Sequence, residues 1–466
     1  MPRRSTFFLL LLSLLAAATL PAAAVSDEEM QVLRMFYPES ELVVTPTRTP
    51  KPISQVAENI TVISRKEIDA IHPHTLADIL LLVPGVQIDM RGGPGSQASA
   101  RIQGSGFRHV LLLVDGVRQN YLSNNFADIA AIPVEEIERI EIVKGPGSSA
   151  WGSALGGVIN VITRESPDER GAEGELQGAM GERKTNALRG YAAGAGDTVA
   201  GVAAASYLHS DGLTPHTAVE GDQGYARLRW QPTERTTLRL TAMGSDNQQG
   251  SGFYPPRNLV FDDESSSLQV TALLNQAVTD SFDLEVALRS VKRNLDQRQT
   301  FLLSGSELLS KEEDRVQGGS LKGTWRLGPH QLLLGSDLER GEIDSDYVGP
   351  GQRVVEQYAF FANDSMLFGP LSVTPGIRFD HTSTSGDFVS PSLGLTWGVA
   401  EQSVFRLAVA RGFTSPPLSA IYGDGVTIPA NPGLKAERVW SYQGGVETSI
   451  IPYLWLKGTI FRHDIS

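Results

Sequence analysis

The sequence predicts a mainly β protein: a transmembrane antiparallel β-barrel that follows a smaller α+β domain. Two observations carry this prediction. From Gly171 onward, segments of roughly ten residues alternate in polarity, as strands do when one face meets lipid and the other a polar interior. Tight turns and longer polar links, such as Ser245–Ser265, alternate between these segments, which is typical of an outer-membrane barrel. A soluble β-sandwich or propeller, the alternative, has no reason to sort its loops in this way.

The charge balance excludes one class of partner. The chain has 466 residues, with 40 basic and 53 acidic side chains and a formal net charge of −13. A nucleic-acid partner would require a basic face, so none is expected. Cysteine is absent, which excludes disulfides and thiolate metal sites.

Residues 1–24 read as a secretory signal peptide. Arg3 and Arg4 precede an apolar run from Phe7 to Ala18, and small residues end at Ala24. The alternative, a membrane anchor, is disfavoured because the run is shorter than the ~20 residues that a helical span needs. No later stretch reaches that length, so a membrane-embedded mature protein must cross with strands.

Residues 25–52 are predicted to be an extension ahead of the first domain. The segment Glu41, Leu42, Val43, Val44 and Thr45 is extended and β-branched, and prolines follow it. Such a segment cannot join a central sheet, but it can add to the exposed sheet edge of another protein. A plain linker is the alternative. We expect the segment to contribute little to the core of the following domain.

Residues 53–165 show a mixed α/β pattern. Asn59–Ser64 reads as a strand, and Ser64 with Glu67 forms a capping box that begins a helix. Thr75–Val83 repeats apolar residues at helical spacing and stops before a proline. Val110–Val114 is a continuous apolar strand that runs into an Asp-Gly turn.

The stretch Glu138–Thr163 reads as two strands, Arg139–Lys144 and Gly157–Thr163. The loop between them is too rich in small residues to predict a helix. This stretch resembles the end of the plug domain of TonB-dependent outer-membrane receptors. Three further stretches also resemble sequence motifs of that family: Leu76–Val86, His109–Arg118 and Arg411–Glu447. The plug sequence is most similar to that of the cobalamin-receptor branch of the family.

The resemblance implies an architecture. The domain at 53–165 would be a plug inside the lumen of a barrel formed by residues 171–466. The segment 41–45 would be the TonB box, which an energy transducer of the inner membrane pulls. About fifteen alternating segments are present, whereas large transporters of this kind close with 22 strands. The chain therefore reads as C-terminally incomplete, either a fragment or a truncated gene, and we expect that it does not close a pore.

The resemblance also implies which plug residues touch the barrel wall and the ligand. The family's plug arginines are replaced by Gln103 and Lys144, so its ionic cluster is weakened or rebuilt, and Arg101 and Glu141 complete the expected plug–barrel contacts. Two polar stretches, 91–101 together with 107–109, and 119–126, correspond to plug apices that face outward and touch the ligand. The expected ligand-binding side chains are those of Arg91, Gln97, Arg108, His109, Tyr121, Asn124 and Asn125.

Catalytic and cofactor motifs are absent from the sequence. It contains no G-x-S-x-G elbow, H-E-x-x-H pair or Walker loop. Carboxylates of predicted external loops are weak candidates for Ca²⁺, and solvated loop charge is the alternative. These candidates are Asp262, Asp263, Asp344 and Asp346.

The predicted function is the energised uptake, across the outer membrane of a Gram-negative bacterium, of a scarce metal chelate, either a ferric siderophore or cobalamin. The expected partners are the ligand, a TonB-type transducer at residues 41–45, and outer-membrane lipid. No cofactor and no enzymatic activity are expected. The alternatives are a non-transporting surface-binding barrel and a haem receptor.

Overall fold

The structure is a computed structural model that describes residues 42–466, except 91, 94, 256, 257, 401, 426 and 427. The predicted signal peptide at 1–24, residues 25–40, Glu41 and Arg91 lie outside the described residues.

A five-stranded sheet forms the frame of the plug. Its strand order is β3–β8–β9–β6–β7, with β6 parallel to β9 and the other neighbours antiparallel. Two small antiparallel pairs, β1–β2 and β4–β5, accompany it. The strands are β1 (Leu42–Val43), β2 (Lys51–Pro52), β3 (Asn59–Ser64), β4 (Val86–Met90), β5 (Ala98–Ile102), β6 (Val110–Val114), β7 (Val117–Arg118), β8 (Ile137–Lys144) and β9 (Gly157–Thr163).

Three short helices join these strands. The capping box that Ser64 and Glu67 predict is present at the start of α1 (Arg65–Ile71). Helix α2 (Leu76–Leu80) is shorter than predicted, because the chain tightens to i→i+3 bonds before Pro84. The prediction of no helix between β8 and β9 is wrong, since α3 (Ser148–Trp151) makes one turn there. The turn is closed by its own backbone: the N–H groups of Ala150 and Trp151 donate to the carbonyl of Gly147, and that of Gly152 donates to the carbonyl of Ser148.

The wall of the barrel is one 15-stranded sheet in consecutive antiparallel order, which confirms the predicted count. The edges of this sheet are its first and last strands. The strands are β10 (Gly171–Met180), β11 (Asn186–Ala195), β12 (Val199–Ser210), β13 (Val219–Thr233), β14 (Thr236–Tyr254), β15 (Leu259–Thr279), β16 (Phe282–Phe301), β17 (Glu307–Leu327), β18 (His330–Ser345), β19 (Arg353–Phe368), β20 (Leu371–Thr382), β21 (Gly386–Ala400), β22 (Ser403–Thr414), β23 (Glu437–Ile451) and β24 (Leu454–Ile465).

The two faces of the wall have the polarity of a membrane barrel. In β13, Leu228 and Trp230 are 43% and 47% exposed, whereas Arg227, which precedes them on the opposite face, is buried toward the plug. In β20, Ile377 is exposed and Arg378 is buried. Apolar side chains therefore face outward and charged ones face the lumen, the reverse of a soluble protein.

Links of two to three residues join the strands at one end of the barrel, and mostly longer links join them at the other. The predicted long links are nevertheless too long. The sequence predicts a loop at 245–265, but β14 and β15 occupy all of that stretch except residues 255–258. The polar composition of this stretch led to the wrong prediction. Strands that extend beyond the lipid are solvated on both faces, yet they still form the hydrogen-bonded backbone ladder.

Within the described ranges, no helix is long and apolar enough to cross a bilayer.

Candidate functional site

The segment that precedes the plug sheet is docked rather than free. Leu42 pairs with Pro52, and Val43 pairs with Lys51. Val43 has no exposed surface and packs in an apolar cluster with Val56, Leu113 and Val158, among others. The expectation that this segment contributes little to the plug core is therefore wrong. Burial of Leu42 and Val43 removes apolar surface from water, which is the physical reason for docking.

One carboxylate clamps the end of this segment. Glu141 Oε2 accepts hydrogen bonds from the backbone N–H of Val44 at 3.0 Å and of Thr45 at 2.8 Å, and from Thr45 Oγ1 at 2.6 Å. Its other oxygen accepts from Arg139 Nε at 3.0 Å. The indole N–H of Trp151 donates to the carbonyl of Thr45 at 2.7 Å. The clamp consists of side-chain bonds rather than a strand ladder, so it can open without disruption of the main sheet.

The chain just after the clamp is fixed to the barrel wall. Both terminal nitrogens of Arg48 bind the carboxylate of Asp337 in β18, at 2.7 and 3.0 Å. Arg378 of β20 binds the same carboxylate at 2.7 Å and pairs with Asp380 at 2.9 Å. The Arg48 guanidinium also lies over the ring of Trp151, at 4.6 Å from the centroid. Buried, bidentate pairs of this kind hold their geometry tightly.

The short-turn end of the wall holds the next residues. Lys51 Nζ donates to Thr374 Oγ1 at 2.7 Å, and Arg406 donates to the carbonyl of Ile53 at 2.8 Å. Burial lowers the pKa of Lys51 to about 8, and the Glu58 carboxylate partly offsets this effect. Sequence reasoning missed Arg48, Lys51 and their wall partners, because contacts between residues some 300 positions apart leave no local signal.

The predicted plug–barrel residues have mixed placements. Gln103 Oε1 lies 3.1 Å from His463 Nε2 of β24. The carbonyl of Lys144 accepts from Gln443 of β23 at 2.9 Å, but its ammonium group donates to Pro84 within the plug. Arg101 instead pairs with Asp89 on the neighbouring plug strand at 3.5 Å.

The fourth predicted contact, Glu141, lies wholly inside the plug, where it forms the clamp. The ionic links between plug and wall are therefore made by other residues. Arg48 with Asp337 is one link, and Arg227 of β13 with Asp115 of the plug is another.

Part of the predicted ligand-binding set lies at the open end of the plug. Arg108 is exposed, with its guanidinium 5.4 Å from the ring centroid of Phe107. His109 Nε2 lies 3.0 Å from a carboxylate oxygen of Glu437 in β23, so it links plug and wall. Gln97 is half-buried.

The second part of the set is engaged in contacts within the protein. The guanidinium of Arg293 in β16 lies over the Tyr121 ring at 5.1 Å, and burial raises the pKa of this phenol. Asn124 accepts from the N–H of Phe126 at 2.8 Å and so folds its own loop. Asn125 Nδ2 donates to the carbonyl of Ser415 at 2.9 Å.

The link between β22 and β23 covers this second part. It contains a short helix, α4 (Leu418–Tyr422), and the N–H of Ser419 donates to the carbonyl of Ser123 in the plug at 2.8 Å. Leu122 of the plug packs against an apolar cluster that includes Leu418 and Ile421. The apex at 119–126 is thus roofed by the wall, whereas the apex around Arg108 is open.

The four candidate aspartates do not form a metal site. Among the described residues, no three His, Asp or Glu side chains are grouped so as to hold a metal ion. Asp263 faces the lumen and accepts from Gln297, while Asp262 is the preceding residue of the same strand. Asp346 accepts from the N–H of Lys311, and Asp344 lies near the end of β18.

A cavity of about 360 Å³ separates the plug from strands β13 to β17 near the short-turn end. Val44, Arg48 and Pro50 of the docked segment form part of its lining, and Arg239 and Arg289 lie on the wall side. Withdrawal of the segment would therefore remove one wall of this cavity.

Comparison with known proteins decides the family. The sequence model of the TonB dependent receptor-like beta-barrel matches residues 206–466, and that of the TonB-dependent receptor plug domain matches residues 52–158. The chain belongs to the TonB-dependent receptors. Members of this family are outer-membrane β-barrels that act as receptors and transporters.

Two relatives of this receptor are vitamin B12 transporters. The chain is 27% identical to the vitamin B12 transporter BtuB of Vibrio vulnificus over 437 residues, which are 87% of this chain and 67% of that protein. It is 26% identical to BtuB of Photobacterium profundum, over 86% of this chain and 66% of that protein. The receptor chain thus spans about two thirds of the length of these relatives.

Solved structures share the fold at lower identity. The ferric enterobactin receptor PfeA of Pseudomonas aeruginosa, as a double mutant, has a TM-score of 0.72 at 20% identity, over 89% of this chain and 72% of that one. The copper transporter OprC has a TM-score of 0.73 at 17% identity, over 89% and 73%.

Proposed function

We propose that this receptor imports a corrinoid of the cobalamin type across the outer membrane, with energy supplied through residues 41–45. The identity to two vitamin B12 transporters over more than four fifths of the chain supports the ligand class. The solved neighbours, which are named for ferric enterobactin and copper, support the fold alone at 20% and 17% identity.

The observation that carries the energised step is the clamp on the docked segment. Leu42 to Thr45 lie at the short-turn end, held by two residues of strand pairing and by the Glu141 carboxylate. A transducer that binds this segment by strand addition must first undock it, because Val43 is fully buried. Undocking breaks only a few bonds, whereas extraction of β8 or β9 would break the central sheet.

The same segment would transmit the force exerted by the transducer to the contact between plug and wall. Arg48 follows the clamp by three residues and is bound to the wall through Asp337. Force on the segment therefore acts next on that ion pair and then on the lining of the 360 Å³ cavity. The outer membrane has no ATP, so this mechanical route supplies the energy.

The proposed ligand site lies at the end of the plug opposite the docked segment. The open plug apex around Arg108, Phe107 and His109 supplies a cation, a ring face and an imidazole to a polar ligand. The loop that contains α4 roofs the neighbouring apex, so Tyr121 and Asn125 meet a ligand only after that loop moves. Gln97 and Arg91 belong to the same proposed site by their position in the sequence.

Binding and uptake of radiolabelled cyanocobalamin, measured on the same cells, test the proposal. Cells that express the receptor with a completed barrel should bind and accumulate the label. A variant that lacks residues 41–45 should bind it but not accumulate it. Accumulation of ferric enterobactin instead would reject the corrinoid, and equal uptake with and without the segment would reject the energised step.

A further inference from the structure

A small charged cavity lies between the plug and the barrel wall, apart from the proposed ligand site. Its volume is about 40 Å³. The β6–β7 turn and Trp151 of the plug line one side, and strands β16, β18, β19 and β20 line the other. The charged side chains around it are those of Arg48, Arg118, Arg289, Arg378, Asp337 and Glu339.

Three of these arginines are paired with carboxylates. Arg48 and Arg378 share Asp337, and Arg378 also pairs with Asp380. Arg289 pairs with Glu339 at 3.2 Å.

Arg118, on plug strand β7, is different. In the part of the chain that the structure describes, no carboxylate lies within ion-pairing distance of its guanidinium, and its side chain makes no hydrogen bond. Burial lowers the pKa of Arg118, an effect that the carboxylates of Glu339 and Asp380 oppose in part and that the nearby cations Arg293 and Arg289 reinforce.

The positively charged side chains around the cavity outnumber the negatively charged ones by one. Four arginines surround the cavity, and three carboxylates, those of Asp337, Glu339 and Asp380, accompany them. Arg118 is half-buried, and a charge that is partly withdrawn from water without a partner is costly, because the interior cannot solvate it as water does. A negative species in the cavity would remove most of that cost.

We propose that this cavity binds a small monovalent inorganic anion of the size of chloride or bromide. A cavity of about 40 Å³ holds about three water molecules, which suits one halide with a water and is tight for larger anions. Leu111, Leu113 and the Trp151 ring form its apolar lining, and such walls favour a weakly hydrated halide.

The bound anion joins Arg118 of the plug to Arg289 and Arg378 of the wall. It therefore strengthens the plug–wall contact beside the Arg48–Asp337 pair, independently of which ligand the receptor carries.

Bromide quenching of tryptophan fluorescence tests the site, because Trp151 lines the cavity. The purified receptor is titrated with bromide against gluconate at constant ionic strength. The expected result is a saturable quenching component in addition to the linear collisional quenching of exposed tryptophans. Trp151→Phe should remove the saturable component.

The variant Arg118→Gln should weaken the saturable component at least about tenfold, because it removes the charge that the anion balances. The matched control is Arg235→Gln, which alters an exposed arginine paired with the exposed Asp280 and should leave it unchanged. Purely linear quenching in the parent, or an unchanged midpoint in Arg118→Gln, would overturn the proposal.

Crystals soaked in bromide give a second readout that does not depend on the folding of a variant. Anomalous density within hydrogen-bonding distance of the Arg118 guanidinium supports the site. Density only at the protein surface overturns it.

Discussion

Neutralising the clamp should release the docked segment without binding of ligand or transducer. The change is Glu141→Gln, which keeps the size of the side chain and removes its charge. In the parent, one oxygen of Glu141 holds three donors, the N–H groups of Val44 and Thr45 and the hydroxyl of Thr45.

The expected magnitude follows from these contacts. A hydrogen bond to a charged acceptor contributes about 1 kcal/mol more than one to a neutral acceptor, so three of them lose about 3 kcal/mol. At about 1.4 kcal/mol per factor of ten, the undocked fraction should rise roughly 100-fold.

Trypsin cleavage after Arg48 reports the undocked fraction. The side chain of Arg48 is 6% exposed in the docked state, so cleavage there requires undocking. When closing is faster than cleavage, the cleavage rate follows the population of the open form. The matched control is Glu67→Gln, another carboxylate that accepts backbone and hydroxyl bonds, at the start of α1.

Cleavage after Lys144, which is buried in the plug sheet, separates undocking from general unfolding. Glu141→Gln should raise cleavage after Arg48 at least about tenfold more than cleavage after Lys144. The reason is that the substitution weakens docking of the segment by about 3 kcal/mol. If both rates rise equally, or if neither exceeds that of the Glu67 control, the carboxylate is not a local clamp and the reasoning fails.

Three further outcomes are expected. Val43→Pro should abolish uptake and also raise cleavage after Arg48, because Val43 is fully buried and pairs with Lys51; normal docking in this variant would contradict the burial argument. Asp337→Asn should raise cleavage after Arg48 by about 100-fold, since breaking a buried pair costs about 3 kcal/mol, whereas Asp280→Asn at the surface should leave the rate unchanged. The folded-state pKa of Lys51, about 8, lies below its unfolded value of 10.5, so the unfolded chain holds the proton to higher pH and plug stability should rise between pH 8 and 10.5; thermal unfolding across that range should show the rise in the parent and a smaller rise in Lys51→Met, since burial also lowers the pKa of Lys144 to about 8.

Much of the fold was predictable because its signals are local. The strand Asn59–Ser64, the capping box of Ser64 and the strand Val110–Val114 each depend on neighbouring residues, and each is confirmed. The alternation in polarity from Gly171 onward likewise predicted an apolar face and a polar face for each strand of the wall, since a strand has a period of two.

The predictions that were wrong involve environments that the sequence does not state. Polar stretches such as 245–265 were assigned to loops, because polarity alone does not distinguish a solvated strand from a loop. The resemblance implied a wall contact for Arg101, but Arg101 pairs with Asp89 on the adjacent plug strand.

The sequence by itself determined the fold class, the strand number and the location of the segment at 41–45, since these are written in short-range periodicity and a long, specific motif. The tertiary structure alone decided how that segment is held. Its docking depends on Glu141, Asp337 and Lys51 meeting partners from distant parts of the chain. These contacts are set by the packing of the plug against the wall, and only the packed structure specifies them.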